Sequence, residues 1–459
     1  MPCQDILLEN LYRGHYMQNK LKDSDYYIKD INLHKQGELL CGEALNEMTG
    51  LKELEKMYKG KKPLQGIRIV GTVLVSLETA NFVILLKKLG ADVRWCSDSY
   101  YYSDDRACAY LAHNGIPIFA KNGLTEEEYY SNFNRAVNYS ENDSKFIGPE
   151  YLIGDGAELI EYMLTTCPHK LASAKGACEQ TTSGVTLLRS RFLNKNKLPF
   201  PVISVNDSVT KSRFDNIYGS RESLVDGLKR SVNMQIAGKR AVVFGFGEVG
   251  KGCAQVMRGL GAHVSIVEID PIMAMQAMME GYEILSKQEA CSTSDILITA
   301  TGCIKTIDTQ EILNLKSGSV IMNMSEHDME INATFFRTNT DLKKVVINDM
   351  CEKFIFPDGK TVYSLCNGFI VNLYAGNGHP PSVMGMTFTN HVLALIDFVH
   401  NPSKYTENKI YRLSRELDEQ AALLSFPQLA GKLNVLSDEQ CNYLGVAKEG
   451  PFKTEDYRY

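Results

Sequence analysis

Three glycines, at positions 245, 247 and 250, constrain this chain more than any other feature. They follow an apolar run at 241–244 and open a segment with helical character at 250–260. In a strand–turn–helix unit Gly245 permits the tight turn. Gly247 lets the backbone approach a pyrophosphate, and Gly250 lets the helix pack closely on the strand. The helix N-terminus then offers N–H donors and a partial positive charge to the phosphates. A second apolar run, 264–268, ends in Glu268, 18 residues past Gly250. An acid there accepts hydrogen bonds from both ribose hydroxyls and repels a 2′-phosphate, so the spacing predicts NAD rather than NADP. A glycine-rich turn without a ligand would leave the coincidence of strand, helix, second strand and acid unexplained.

The same rhythm runs through most of the chain. Apolar runs at 296–300, 320–323 and 345–348 continue the second half, and Pro357-Asp358-Gly359 reads as a hairpin turn. In the first half the spacing predicts strands at 67–70, 93–96, 116–120, 151–153 and 202–205. A helix is expected at 77–89, closed by Gly90. Helices are also expected at 392–398 and 415–424. Strands separated by helical segments predict parallel sheets. The fold class is therefore α/β, with two doubly wound, Rossmann-like parallel-sheet domains and a small C-terminal tail domain. The loop after the first strand, Gly71-Thr72-Val73-Leu74, lacks the glycine set. That predicts a substrate-holding module, with ligand bound in the cleft between the two. Residues 1–30 are polar and tyrosine-rich and read as a loosely attached extension.

Composition narrows the functional class. A chain of 459 residues exceeds one domain. Forty-nine Lys and Arg against 55 Asp and Glu give a net charge of -6, which argues against nucleic acid or an anionic membrane as partner. No uncharged apolar run approaches the ~20 residues of a membrane span. The N-terminus lacks the charged-then-apolar pattern of a signal peptide, so a cytoplasmic protein is expected. The 12 cysteines contain no CxxC pair, and the 9 histidines form no HxH or HxxxH pair. Core thiols and no metal site are expected.

The segment 206–216, NDSVTKSRFDN, is the second unusual stretch. Asp207 or Ser208 is placed to cap a following helix. Lys211 and Asp215 are spaced i,i+4 and would share a helix face. Such a pair is either a surface ion pair of little energetic weight or, in the cleft, a desolvated lysine able to move protons. Spacing alone leaves both readings open.

NDSVTKSRFDNIYG, GFGEVGKGC, VEIDPI, FTN and the terminal GPFK and DYRY together resemble the S-adenosylhomocysteine hydrolase (adenosylhomocysteinase) family, from about Tyr26 to Tyr459. The resemblance implies an extension at 1–25 and a substrate domain at 26–215 and 380–428. It further implies an NAD domain at 222–377 and a tail at 429–459 that reaches a neighbouring subunit, usually in a homotetramer. In that family a tightly held NAD oxidises the ribose 3′-hydroxyl, which acidifies the 4′-hydrogen. Homocysteine then leaves, water adds, and the ketone is reduced again. Carried over by position, Thr181, Thr182, Ser183, Asn216, Gly245, Gly247, Glu248, Val249, Gly250, Glu268, Asn323 and Asn372 fall on cofactor positions. Lys453 and Tyr457 match the tail residues that reach the partner's NAD. Asp155, Lys211 and Asp215 match catalytic positions. Ser76, Glu78, Thr79, Gln180 and His379 match substrate-binding positions.

The departures cluster on the reaction side. The family's catalytic histidine is Leu74 here, and a second histidine, near the leaving sulfur, is Glu326, with His327 one place later. Gln180 replaces an acid that grips the ribose hydroxyls, and Met273 replaces an adenosine-side Asn or Cys. Loss of one general acid or base costs ~10²–10⁴ in rate. The resemblance therefore implies an NAD-binding member of S-adenosylhomocysteine metabolism with lost or much reduced hydrolase activity. Such a protein would bind S-adenosylhomocysteine or an adenosine-like ligand. It would act through a homo-oligomer, or a hetero-oligomer with an active homologue. A working hydrolase, with Asp155, Lys211 and His327 or a water compensating, is the alternative. An NAD-dependent dehydrogenase of another small molecule is the second, and it leaves the NDSVTK segment unexplained.

Overall fold

The structure is a computed structural model that describes residues 25–140, 146–325, 329–429, 431–455, 457 and 459. Among these, six strands come first: β1 (Arg68–Thr72), β2 (Asp92–Cys96), β3 (Ile118–Phe119), β4 (Tyr151–Gly154), β5 (Gly176–Glu179) and β6 (Val202–Ser204). Then follow β7 (Arg240–Phe244), β8 (His263–Val267), β9 (Glu283–Ile284), β10 (Ile296–Thr299), β11 (Ser319–Asn323), β12 (Lys343–Asn348), β13 (Cys351–Ile355) and β14 (Thr361–Leu365). The last strand, β15 (Ile410–Arg412), returns to pair with β6.

The first sheet runs β15-β6-β5-β4-β1-β2-β3, with every pair parallel. The second runs β12-β13-β14-β11-β10-β7-β8-β9 and is parallel except for β13, which is antiparallel to both neighbours. The exception lies at Pro357-Asp358-Gly359: Gly359 takes a positive φ of 86°, and Phe356 N–H donates to Lys360 O across the turn. Helices cover both faces of the first sheet, so its strands are apolar on both sides. Ile69, Ile153, Cys178 and Ile203 join one core, while Val70, Leu152, Ala177 and Val202 join the other. That is the period-two alternation of a strand.

Each sheet has one point where strand order reverses. In the first it lies between β1 and β4, and in the second between β7 and β10. Adjacent strands there send their following loops to opposite faces, which leaves a crevice at the carboxyl ends.

Three features differ from expectation. Residues 25–30 are not loose: Tyr27 pairs with edge strand β3, donating to Ile118 O and accepting from Ala120 N–H. The extension at 1–24 lies outside the described residues. Strand β5 escaped the apolar pattern because its sequence, GACE, holds two apolar residues between a glycine and a buried glutamate. The helix Pro381–His400 has 20 residues where 392–398 gave seven, and it is long and apolar enough to cross a membrane. It is 72% buried over its most apolar stretch, and Phe388 stacks on Phe82 at 4.7 Å.

Candidate functional site

At the second sheet's crevice, Gly245 has φ +94°, and a Cβ there would lie 2.6 Å from Ala300 O on the loop after β10. A Cβ at Gly250 would lie 2.0 Å from Gly245 O. Both positions are therefore closed to any larger residue. Gly247 is the opposite case: nothing stands within 4 Å of its would-be Cβ. It is the N-cap of helix Glu248–Gly259 and provides no side-chain cap, so the helix's first N–H groups are left for a ligand. Val249 lies in that first turn, partly buried. Glu268 sits one residue past β8, where its carboxylate accepts from Phe246 N–H (2.6 Å), Ile269 N–H (2.6 Å) and Asp270 N–H (3.0 Å). An open cradle, uncapped N–H groups and an adjacent acid fit a dinucleotide. Asn323, at the end of β11, is buried and ties Thr299, Ser325 and Gly368 together. Asn372 is buried, with Nδ2 donating to Ser223 Oγ and Oδ1 without a partner among the described residues.

At the first sheet's crevice, the loop after β1 alternates. Val73 and Val75 are buried in the core, while Leu74 is partly exposed. Ser76 caps helix Leu77–Lys88 by accepting from Thr79 N–H, and it donates to Glu78 Oε2 at 2.7 Å. Thr79 donates to Leu74 O at 2.6 Å, which fixes that loop. Burial pushes the Glu78 carboxyl up, against the lowering effect of Ser76. Across the reversal point, Asp155 follows β4 and accepts from Gln180 Nε2 at 2.7 Å. Two carboxylates at that distance would compete for one proton, and the amide removes the conflict. Thr181 caps helix Thr182–Arg191, accepts from Gly156 N–H (2.8 Å) and from Ser183 Oγ (3.1 Å), and donates to Glu179 (3.2 Å). Thr182 is exposed.

Lys211 and Asp215 prove to be buried, 3% and 4% exposed, with Nζ 3.3 Å from Oδ1. They do not share one α-helix. The helix Val209–Ser212 gives way to a π-helical turn, Asp215–Gly219, and the pair meets across that junction. Such turns concentrate at functional sites. Lys211 Nζ also donates to Asn216 Oδ1 at 2.8 Å. Asp215 is held on its other side by His379 Nδ1 at 3.2 Å and by Thr387 Oγ1 at 2.7 Å. Burial alone would raise the Asp215 carboxyl. Lys211 first, then His379 and Thr387, hold it well below the usual carboxylate range.

The helix cap here is not the one expected. Ser208 stands at the N-cap position but donates to Val205 O instead. Asp418, 209 residues downstream of Val209, accepts from Val209 N–H (2.7 Å) and Thr210 N–H (2.9 Å). Asp418 and Thr387 were invisible to local spacing because they arrive from other helices.

Lys453 and Tyr457 are exposed, with the ammonium 4.6 Å from the tyrosine ring centre. The chain end is anchored nearby: Arg213 binds both Tyr459 O (2.5 Å) and the Glu248 carboxylate (2.9 Å). Glu326 and His327 lie outside the described residues. The structure thus brings Leu74, Ser76, Glu78, Thr79, Asp155 and Gln180 to one crevice. It brings Lys211, Asp215, Asn216 and His379 into one cluster, and the three glycines and Glu268 to the other crevice.

Two family profiles match the sequence. The one described as S-adenosyl-L-homocysteine hydrolase matches residues 25–174, and the one for its NAD binding domain matches residues 216–378. Among solved structures, a dipicolinate synthase chain from Bacillus halodurans aligns at 10% identity, covering 73% of this chain and 99% of its own, with a TM-score of 0.45. A transhydrogenase from Sinorhizobium meliloti aligns at 15% identity over 73% and 96%, with a TM-score of 0.38. NAD-bound 3-phosphoglycerate dehydrogenase from Entamoeba histolytica aligns at 12% identity over 73% and 96%, with a TM-score of 0.40.

Proposed function

The chain belongs to the S-adenosyl-L-homocysteine hydrolase family and binds NAD, and from that premise we propose that it keeps the family's redox half while its hydrolytic half is impaired. The observation that carries this reading is the contrast within one site. Lys211 and Asp215 form a buried pair bonded to the partly buried Asn216 and His379, while Leu74 occupies the loop after β1.

Bound NAD supplies an acceptor for the hydrogen at the ribose 3′-carbon. Gly245, Gly247 and Gly250 form its cradle, and Glu268 takes the adenosine ribose. Lys211 Nζ, acting as the free amine with its two N–H groups on Asp215 and Asn216, takes the proton of the substrate's 3′-hydroxyl on its lone pair. Gln180 accepts from a ribose hydroxyl through Oε1, which has no partner among the described residues, while its Nε2 keeps Asp155 aimed at the sugar. A protonatable group at position 74 would have assisted departure of homocysteine. Leucine neither donates nor accepts, and one missing acid or base costs ~10²–10⁴ in rate.

On this reading the protein is a ligand-binding member of one-carbon metabolism in the cytoplasm. The exposed Lys453 and Tyr457 suit a neighbouring subunit's cofactor site, in a homo-oligomer or beside an active homologue. The domains divide near 215–222 and near 377–380.

Two measurements on one purified sample test the proposal. Adenosine should reduce bound NAD, read by near-ultraviolet absorbance, while S-adenosylhomocysteine hydrolysis stays slow. Leu74→His should raise hydrolysis about tenfold or more without changing NAD content. Wild-type turnover comparable to active family members overturns the proposal.

A further inference from the structure

Glu330 lies on the loop after β11 and is buried, 1% exposed. Its carboxylate serves one short stretch of another loop, the one after β10. Oε1 accepts from Thr301 N–H (3.0 Å) and Gly302 N–H (2.6 Å), and Oε2 accepts from the Thr301 hydroxyl (2.8 Å). Three donors converge here, so the position requires a group that accepts on both oxygens. An amide would turn its NH2 toward those donors, and a buried carboxylate without such bonds would be strongly unfavourable. What the acid holds is the unexpected part. Thr301, Gly302 and Cys303 are exposed, and nothing stands within 4 Å of a would-be Cβ at Gly302. Backbone N–H groups at an exposed tip can bond water, so a plain connecting loop has no use for a buried acid.

The place of that tip gives it a use. Strands β7 and β10 flank the reversal point of the second sheet. The glycine turn after β7 and the loop after β10 are therefore the two walls of the cofactor crevice. They touch: Ala300, directly before Thr301, has its carbonyl oxygen 2.6 Å from a would-be Cβ at Gly245. The tip is also tied to a third loop. Gly302 N–H reaches Ser325 Oγ at 3.3 Å, and Ser325 N–H donates to Asn323 Oδ1 at 2.8 Å. Main-chain bonds already lace the bases of these loops together. Ile307 N–H donates to Glu330 O (2.9 Å), Lys305 N–H donates to Met329 O (2.8 Å), and Ile307 bridges Ile331. The carboxylate adds bonds only at the tip. The Thr301 hydroxyl carries that order one step further by accepting from Cys303 N–H at 3.1 Å.

We propose that Glu330 is a positioning residue for NAD, which fixes the crevice wall opposite the glycine turn before the cofactor arrives. A loop that must be ordered on binding subtracts from affinity, and a loop ordered beforehand does not. Glu330 acts through Thr301 and Gly302 and has no contact with the cofactor assigned to it. The inference rests on NAD binding and not on the fate of the hydrolytic half.

Release of bound NAD from the purified holoprotein, read as exchange with isotopically labelled NAD, tests it. Glu330→Gln keeps the size of the side chain but spoils its acceptor pattern, and it should speed release about tenfold or more. Release within twofold of wild type overturns the inference, because an acid that only supports the fold would lower the melting temperature and leave the folded protein's hold on NAD unchanged. Thr301→Val removes one of the three donors, and Thr301→Ser keeps it. Release should be faster from the valine variant, and that difference should vanish in the Glu330→Gln background. A difference that persists there would mean that the hydroxyl acts without Glu330, and it overturns the inference as well. If Glu330→Gln folds poorly, the two Thr301 variants decide alone, and equal rates overturn the inference. None of these readings requires adenosine to reduce the bound NAD, so a failure of the redox reading leaves the test intact.

Discussion

At the scale of single residues, the two most perturbed groups of the lysine cluster pull stability in the same direction as pH falls. His391 ordinarily titrates at 6.5 and is pulled down to about 3 in the fold. Below pH 6.5 the unfolded chain takes up a proton that the native state refuses. Stability from this group is therefore full above pH 6.5, falls as pH drops toward 3, and is flat below. At pH 5 the loss amounts to about 2 kcal/mol. Asp215 adds its own loss only lower down, because its depressed carboxyl begins to cost stability below the ordinary aspartate range. His391→Gln should thus be less sensitive than wild type between pH 7 and pH 5, with the curves separating by about that amount in urea titrations. Parallel curves would mean that the imidazole is protonated or solvated in the native state. None of this was legible in the sequence. His391 is one of two histidines in an apolar helix, and its environment is set by burial and by Lys211, 180 residues away.

At the scale of elements, legibility followed how local the causes were. The glycine loop declared itself because its causes are local: Gly250 meets Gly245 within the same turn, Gly245 meets the loop after the adjacent strand β10, and Gly247 is left open. Helix Leu77–Lys88 did so as well, with Ser76 before it and Gly90 after it. The lysine helix did not. Four residues long, it cannot stand alone. The N–H groups of Val209 and Thr210 are satisfied by Asp418 from helix Arg415–Ser425, whose carboxylate also accepts from the Thr210 hydroxyl. Asp418→Asn should therefore act at a distance. Weakening this charged cap is expected to cost about 1–2 kcal/mol. It should also loosen Lys211, so adenosine-driven NAD reduction falls while NAD binding, which depends on the other sheet, is unchanged. Thermal melting and cofactor titration check both halves. A loss of NAD binding equal to the loss of rate would show that the helix does more than carry the lysine.

At the scale of the whole molecule, the two crevices communicate through a small contact. His379 follows Gly376-Asn377-Gly378 on the segment leading out of the second sheet's half, yet its ring reaches Asp215 beside the first. That approach exists because residue 219 has no side chain: a Cβ there would lie 2.4 Å from His379 Nδ1. The segment 376–380 and the turn Asp215–Gly219 are thus locked by one side-chain hydrogen bond and one missing methyl. If NAD and nucleoside favour the same arrangement of that joint, each should raise the other's affinity by the same factor, since coupling is reciprocal. Gly219→Ala tests this by acting on the joint itself, through the His379 ring. In wild type, NAD should bind more tightly when adenosine is present, by about fivefold or more. In the variant the ring must move, Asp215 loses a partner, and the factor should shrink toward one while NAD affinity alone is preserved. An undiminished factor would place the coupling elsewhere, and the nearest alternative route is Arg213, which joins Glu248 of the cofactor helix to the chain end.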